Sequence, residues 1–403
     1  MDIAITPSEL RGSISVPTSK SDAHRYIIAS ALANGTTVLK DMCLTPKDIQ
    51  AALSACKAIG ASVDINESDG TASISGAVCP SENVVVDCVE SGTTLRLIIP
   101  VAAALGVKAA FIGRGKLPQR PLSPYIEQMS KHGIRFSGNG LPLNIEGKLT
   151  GGEYELEGNI SSQFISGLLL ALPKCGEDSH LKLLSPLQSK PYVDMTLNCL
   201  KNFGVKIECG KDEYFIKGGQ TYNACTHSIE RDWSQAAFFC VANALGSDVD
   251  IKDMDHGSVQ GDKVIYDVCD KFDKSPLDID CSDTPDIVPV LSVLASQCRG
   301  VSYIRNISRL RLKESDRIET VCNMINSLGG NAECVGEDIV IKGGKLSGGE
   351  VDACNDHRIA MAAAIAATVS TGKVIIKGAQ CVSKSYPDFF KEYERLGGTL
   401  QYI

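Results

Sequence analysis

Within the 403 residues of this chain, Lys313-Glu314-Ser315-Asp316-Arg317 is the sharpest chemical signal. A lysine beside a carboxylate can share proton transfer, and an arginine four residues later holds substrate charge from the same face of a helix. Asp286 brings a second carboxylate, from the turn Asp283-Thr284-Pro285-Asp286, and Asp356-His357-Arg358 adds an acid–base candidate and another cation. Lys20-Ser21 followed by Arg25 sets one hydroxyl and two cations on one side of an anionic group. Ser91-Gly92-Thr93-Thr94 with Arg96 combines hydroxyls and backbone N–H groups with a glycine that admits a ligand close to the main chain. Ser161-Ser162-Gln163 and Ser189-Lys190-Pro191-Tyr192 are further polar turns. Taken singly, these turns read more simply as helix caps, and Lys313–Arg317 as a salt-bridged helix start. No Ser–His–Asp signature and no Cys beside a His suggests acyl-enzyme chemistry. The single-glycine turn is not a Walker sequence, so an ATP loop is not expected.

What raises the turns above caps is that they recur. Ser19-Lys20-Ser21, Glu90-Ser91-Gly92-Thr93, Ser161-Ser162-Gln163, Asp232-Trp233-Ser234-Gln235, Asp283–Asp286 and Asn355-Asp356-His357-Arg358 start roughly 50–70 residues apart, a period typical of a repeated supersecondary unit. Each precedes an apolar helical stretch, such as 26–32, 168–172, 236–244, 288–295 or 359–367, and should open that helix through an N-cap. A second amphipathic helix follows in every copy, at 46–59, 122–132, 191–203, 260–272, 314–328 and 387–396. Gly60, Gly133, Gly204, Gly329 and Gly397 supply left-handed C-terminal caps for most of these. The expected class is α/β, with six strand–helix–strand–helix–strand repeats, three on each side of a crossing near residues 222–229. Residues 1–18 are left as an extra strand-like segment, 3–7 and 14–16, that must pair elsewhere. The expected domains are 19–228, and 1–18 with 229–403. If the first helices of each half point their N-termini alike, the six turns face one interdomain cleft that favours phosphate and carboxylate.

Composition narrows the classes. Hydrophobic residues make up 43% and charged residues 22%, as in ordinary globular proteins, and no stretch approaches the ~20 apolar residues of a membrane span. The N-terminus Met1-Asp2-Ile3-Ala4-Ile5 lacks signal-sequence character, which points to the cytoplasm. The 16 cysteines are then reduced, and many serve as small apolar helix residues. Without a Cys-x-x-Cys pair and with 6 histidines, no metal site is expected. A formal charge of −8 argues against nucleic-acid binding. Yet Lys20, Arg25, Arg96, Arg120, Lys313, Arg317, Arg358 and Lys384 gather in or near the turns, as a site for small anions requires.

These turns, in this order and together with Gln119-Arg120-Pro121 and Lys384, resemble the enolpyruvyl transferase family, and within it the 5-enolpyruvylshikimate-3-phosphate synthases. The resemblance runs over essentially the whole chain. It implies a two-domain inside-out α/β barrel of six βαβαββ units, three per domain, with the active site in the cleft. It implies transfer of the enolpyruvyl group of phosphoenolpyruvate to the 5-hydroxyl of shikimate 3-phosphate, with phosphate released, and no cofactor. Carried over by position, Lys20, Ser21, Arg25, Ser161, Ser162, Gln163, Ser189, Tyr192, Asp286 and Lys313 would hold shikimate 3-phosphate. Lys20, Gly92, Thr93, Arg96, Arg120, Gln163, Arg317, Arg358 and Lys384 would hold phosphoenolpyruvate. The catalytic group would be Asp286 and Glu314, with Lys20, His357 and Lys384 assisting. A monomer is expected, with no nucleic-acid or membrane partner.

Two positions depart from the family pattern: many members carry Asn at the places of Glu90 and Arg309. Glu90 fits beside an anion site only if it points away or meets a cation, while Arg309 either adds a phosphate contact or faces solvent. Gly92 is retained, so glyphosate should inhibit. The nearest alternative is UDP-N-acetylglucosamine enolpyruvyl transferase, which usually has a reactive Cys just before the Arg-Pro; the loop here, 113–119, has none. A non-catalytic anion-binding repeat protein and an RNA-processing enzyme are weaker alternatives. The retained Lys20, Asp286, Glu314 and Lys384 oppose the first, and the acidic charge opposes the second.

Overall fold

Short polar side chains open most of the buried helices. In the computed structural model, which describes residues 1–77 and 83–403, Ser19 accepts from Asp22 N, Ser91 from Thr94 N, Ser161 from Gln163 N and Asp356 from Arg358 N. Asp232 accepts from both Ser234 N and Gln235 N. Each bond satisfies N–H groups that the first helical turn leaves without an internal partner. The helices so opened are Lys20–Ser30, Gly92–Leu105, Ser162–Ala171, His357–Ala367 and Trp233–Ala244. The turn Asp283–Asp286 differs. Its helix, Val288–Ala295, begins after Ile287 with no side-chain cap, so Asp286 is left for other work.

Chain contacts divide the protein into two units, Thr18–Glu230, and Met1–Pro17 with Arg231–Ile403. In Thr18–Glu230 the helix Gly92–Leu105 packs on both Lys20–Ser30 and Ser162–Ala171. It is apolar and buried almost all round, as an interior helix must be. Gly167 permits the close approach: a Cβ there would lie 2.5 Å from the Arg96 carbonyl oxygen. Pro100, inside the same helix, has no N–H for the carbonyl four residues back, which is that of Arg96. The Tyr125 hydroxyl donates to this carbonyl at 2.6 Å and replaces the missing bond.

Each repeat of this unit lays one four-stranded sheet over the helices. One sheet runs Val84–Asp87, Ala109–Ile112, Leu143–Gly147, Ile134–Ser137; the next, Gly152–Leu156, Ser179–Leu183, Glu213–Ile216, Ile207–Cys209. The third runs Thr226–Ser228, Thr36–Lys40, Thr71–Ser75, Ser62–Asn66. In all three the first pair is parallel and the rest antiparallel. Parallel neighbours require a crossover, which a buried helix provides in the first two sheets: Gly92–Leu105 lies between Val84–Asp87 and Ala109–Ile112, and Ser162–Ala171 between Gly152–Leu156 and Ser179–Leu183. The segment 222–229 is thus not a bare crossing: Tyr222–Asn223 and Thr226–Ser228 are strands, and Thr226–Ser228 fills the first place in the sheet of the first repeat.

In the other unit, Trp233–Ala244, Val288–Ala295 and His357–Ala367 touch one another at the centre. One sheet runs Asp278–Asp280, Val301–Arg305, Asp338–Lys342, Asn331–Val335. Another runs Gly349–Asp352, Val374–Lys377, Ile3–Thr6, Thr399–Tyr402, so the N-terminal strand completes the last repeat. The second strand of the leading segment is Arg11–Ile14 rather than 14–16, and it pairs parallel to Asp248–Ile251. That fourth repeat is shorter than its sequence period suggests: among the described residues it has these two strands and no hairpin. The Asn243 side chain covers part of the vacant edge, donating to Val249 O at 2.7 Å and accepting from Val249 N at 2.8 Å. Gly60, Gly133, Gly204, Gly329 and Gly397 follow their helices with φ between 79° and 106°. The described strands form separate sheets of at most four, not a closed barrel.

Candidate active site

Each unit gathers its own set of charged turns. In Thr18–Glu230, Lys20 opens the first helix and its Nζ lies 3.1 Å from Asp48 Oδ2. Ser21 follows it, and Arg25 is one turn further along, where its head bonds protein on three sides: Thr196 Oγ1 at 2.8 Å, Ser21 O at 2.6 Å and Tyr192 O at 2.6 Å. Arg25 therefore ties the Ser21 turn to the Ser189–Tyr192 turn. Ser189 adopts the left-handed φ of 56°, directly before the helix Lys190–Asn202.

Arg96 similarly joins the second and third repeats. Its Nη1 donates to Gln163 Oε1 at 3.0 Å and lies 3.5 Å from Ser161 Oγ, while its Nη2 donates to Pro121 O at 3.2 Å. Its guanidinium lies 4.7 Å from the Phe164 ring centre, and Gln163 Nε2 donates to Thr93 Oγ1 at 2.9 Å. Ser162 is buried in the first turn of the third-repeat helix. Gly92 begins its helix hard against Arg120, where a Cβ would fall 2.2 Å from Arg120 Nη1. Seven positions expected at the substrates, Thr93, Arg96, Gly92, Arg120, Ser161, Ser162 and Gln163, thus form one connected patch.

In the other unit Asp286 is the hub. Arg317 Nη1 is 2.8 Å from Asp286 Oδ1, Lys313 Nζ 3.5 Å from the same oxygen, and Arg358 Nη2 3.3 Å from Oδ2. Burial alone would raise the Asp286 pKa, but Arg358, Lys313 and Arg317 outweigh it and hold the carboxyl well below the usual range. Arg317 is 1% exposed and also binds Glu314 Oε2 at 2.7 Å and Asp356 Oδ2 at 2.8 Å. Burial pushes Lys313 down to about 8 against the pull of Asp286. Lys384 Nζ donates to Asn355 O at 2.6 Å, which brings it to the Asp356-His357-Arg358 turn. His357 is buried at the first position of its helix.

Two expectations change, and the place of Glu90 is fixed. Lys313 and Arg317 do not share a helical face: the helix is Arg317–Ser327, capped by Asp316, and Lys313–Ser315 precede it as a turn. The turn lets Lys313, Glu314 and Arg317 converge on Asp286. Arg309 does not face solvent; it is 7% exposed and donates to Ser282 O, bracing the Asp286 turn from behind. The Glu90 carboxylate leans on the 113–119 loop, filling the space where a Cβ on Gly115 would stand.

Sequence reasoning did not single out Asp48, which partners Lys20, or Asp262. The latter is buried, bonds Ser234 Oγ and has its pKa raised to about 6 by burial and by the nearby charge of Asp286. Each sits beside a single lysine, Lys47 or Lys263, and away from the recurring polar turns, so only the folded chain reveals them.

The chain is similar to known proteins along nearly its full length. The family model for EPSP synthase (3-phosphoshikimate 1-carboxyvinyltransferase) matches residues 5–393. A 3-phosphoshikimate 1-carboxyvinyltransferase from Clostridium perfringens is 41% identical over 99% of both chains. One from Clostridioides difficile is 40% identical over 99% of this chain and 98% of its own. In fold, the EPSP synthase of Acinetobacter baumannii aligns with a TM-score of 0.82 at 24% identity over 99% of both chains. The enolpyruvyl transferase NikO from Streptomyces tendae aligns at 0.80 and 15% identity, over 99% of this chain and 98% of its own. With its ordered turns, its repeated units and a match along nearly its full length, this chain belongs to the EPSP synthase family.

Proposed function

We propose that this protein transfers the enolpyruvyl group of phosphoenolpyruvate to the 5-hydroxyl of shikimate 3-phosphate, a step of the shikimate pathway. The observation that carries this reading is the Asp286 carboxylate among three cations, one of which, Arg317, also holds Glu314.

The reaction is an addition followed by an elimination. The 5-hydroxyl oxygen bonds to C2 of phosphoenolpyruvate, its proton leaves to a base, and an acid protonates the methylene carbon. The tetrahedral intermediate then loses phosphate as a proton leaves the new methyl group, which restores the double bond. Asp286 and Glu314 are the two carboxylates for these transfers, with Lys20, His357 and Lys384 assisting. Asp286 is a weak base while three cations face it. Bound phosphate and carboxylate groups offset those cations and raise its basicity when substrate is present. Ser21, Arg25, Ser161, Ser162, Ser189, Tyr192 and Lys313 bind shikimate 3-phosphate, together with Lys20, Gln163 and Asp286. Gly92, Thr93, Arg96, Arg120, Arg317, Arg358 and Lys384 bind phosphoenolpyruvate, where their charge offsets the phosphate and carboxylate. The two carboxylates belong to Met1–Pro17 with Arg231–Ile403, and the serine and tyrosine hydroxyls to Thr18–Glu230.

No helix among the described residues is long and apolar enough to cross a membrane. The reading includes a monomer working in the cytoplasm, which gel filtration and cell fractionation test. The decisive assay is phosphate release from phosphoenolpyruvate with shikimate 3-phosphate or UDP-N-acetylglucosamine as acceptor. Release with the first alone is expected, and Asp286→Asn or Glu314→Gln should lower kcat by about 10²–10⁴. Release with the sugar nucleotide alone would overturn the acceptor, and no release with either would overturn the reaction.

A further inference from the structure

His24 is wholly buried, on the first helix one turn past Lys20. Its Nδ1 lies 2.8 Å from the Lys20 carbonyl oxygen, and its Nε2 lies 3.1 Å from Thr94 Oγ1 and 3.4 Å from Ser91 Oγ. A carbonyl only accepts, so Nδ1 carries the proton and the Nε2 lone pair accepts from a hydroxyl. Thr94 Oγ1 and Ser91 Oγ are 2.8 Å apart, and Ser91 Oγ accepts from Thr94 N as the cap of the helix that begins at Gly92. The chain of bonds runs without a break from the Lys20 turn to the Gly92 turn. Asp48 ties the same two turns a second time: its carboxylate holds Lys20, and its carbonyl oxygen lies 3.5 Å from Thr94 Oγ1.

We propose that His24 is a positioning residue for phosphoenolpyruvate, an imidazole bridge that fixes the Lys20 turn against the Gly92 turn. It touches no substrate. It sets the distance between a cation and the glycine N–H end of a helix, two elements that must meet one anion together. Burial keeps the ring neutral, with its pKa lowered to about 4, so both bonds hold at neutral pH.

The inference rests on the enolpyruvyl transfer reading, and its test separates the two. In His24→Leu, the KM for phosphoenolpyruvate should rise about tenfold, while kcat and the KM for shikimate 3-phosphate stay within about threefold. His24→Asn keeps a polar group at the Nδ1 position and His24→Gln one at the Nε2 position. Each should fall between wild type and His24→Leu, and they remain informative if the leucine variant fails to fold. An unchanged phosphoenolpyruvate KM in all three overturns the bridge. So does a loss in which the apparent kcat falls with the fraction of folded protein, or in which both KM values rise alike. Amide exchange at residues 91–96 reads the bridge without turnover: it should quicken in His24→Leu or, if that chain does not fold, in His24→Asn. An inactive wild type with that quickening would sink the functional reading alone, and unchanged exchange would sink the bridge.

Discussion

Gly92→Ala is the most direct probe of the phosphoenolpyruvate half of the site. A Cβ on Gly92 falls 2.2 Å from Arg120 Nη1, so the guanidinium must retreat roughly 1.3 Å to reach the ~3.5 Å of ordinary contact. Arg120 is 9% exposed and has little room to swing aside. Displacing a charge-bearing group by about 1 Å costs up to ~10² in activity, so the KM for phosphoenolpyruvate should rise about 10–100-fold with kcat less affected. Glyphosate, if it competes with phosphoenolpyruvate as expected, should weaken at least as much. Stability should fall by no more than about 1–3 kcal/mol, because alanine's helix preference offsets part of the crowding at Arg120. Gly92 is the first helical residue and has no left-handed φ, and alanine in a helix is favoured over glycine by up to about 1 kcal/mol. The assays are steady-state kinetics on both substrates, glyphosate titration and thermal melting. In Arg120→Ala the further change Gly92→Ala should add little, because the clash is gone. An unchanged phosphoenolpyruvate KM, or an equal effect of Gly92→Ala with and without Arg120, would refute the steric argument.

Asp356→Ala should destabilise the fold by about 3–5 kcal/mol in denaturant titration, because it strips a fully buried partner from Arg317 and the cap from the helix His357–Ala367. Lys313 loses its charge as pH rises through about 8, so kcat/KM for shikimate 3-phosphate should fall there in a pH profile; in Lys313→Arg that fall should vanish. His24 is lowered from 6.5 to about 4 by burial, so below 6.5 the unfolded chain binds a proton that the folded chain refuses. Stability should therefore drop as pH falls from about 6.5 to 4, and His24→Asn should flatten that part of the melting curve.

Much of the fold was legible because its signals are local. Ser19, Ser91, Ser161, Asp232 and Asp356 cap helices through bonds to residues two or three positions on, and the glycines after the second helices supply a backbone angle by themselves. Exceptions arise where distant chain segments compete. Thr226–Ser228 reads as a polar crossing until Thr36–Lys40 offers it a parallel neighbour, and the fourth repeat shows its missing hairpin only when Asp248–Ile251 is seen with one strand beside it. Lys313–Arg317 was the opposite case, a local pattern that suggested the wrong geometry, since Asp316 takes the cap and turns Lys313 and Glu314 out of the helix.

The sequence by itself determined the inventory: which turns recur, where most helices begin, and that an acidic chain sets some of its cations in or near those turns. Only the tertiary structure decided how those cations are shared. Arg317 divides its donors among Asp286, Glu314 and Asp356, and Arg309 spends its charge bracing Ser282 rather than meeting solvent. Asp48 and His24 acquire their meaning from partners 28 and 70 residues away. Caps and periodicity depend on neighbours along the chain, whereas Coulomb energy and hydrogen-bond satisfaction depend on distance in space, and a sequence states only the first.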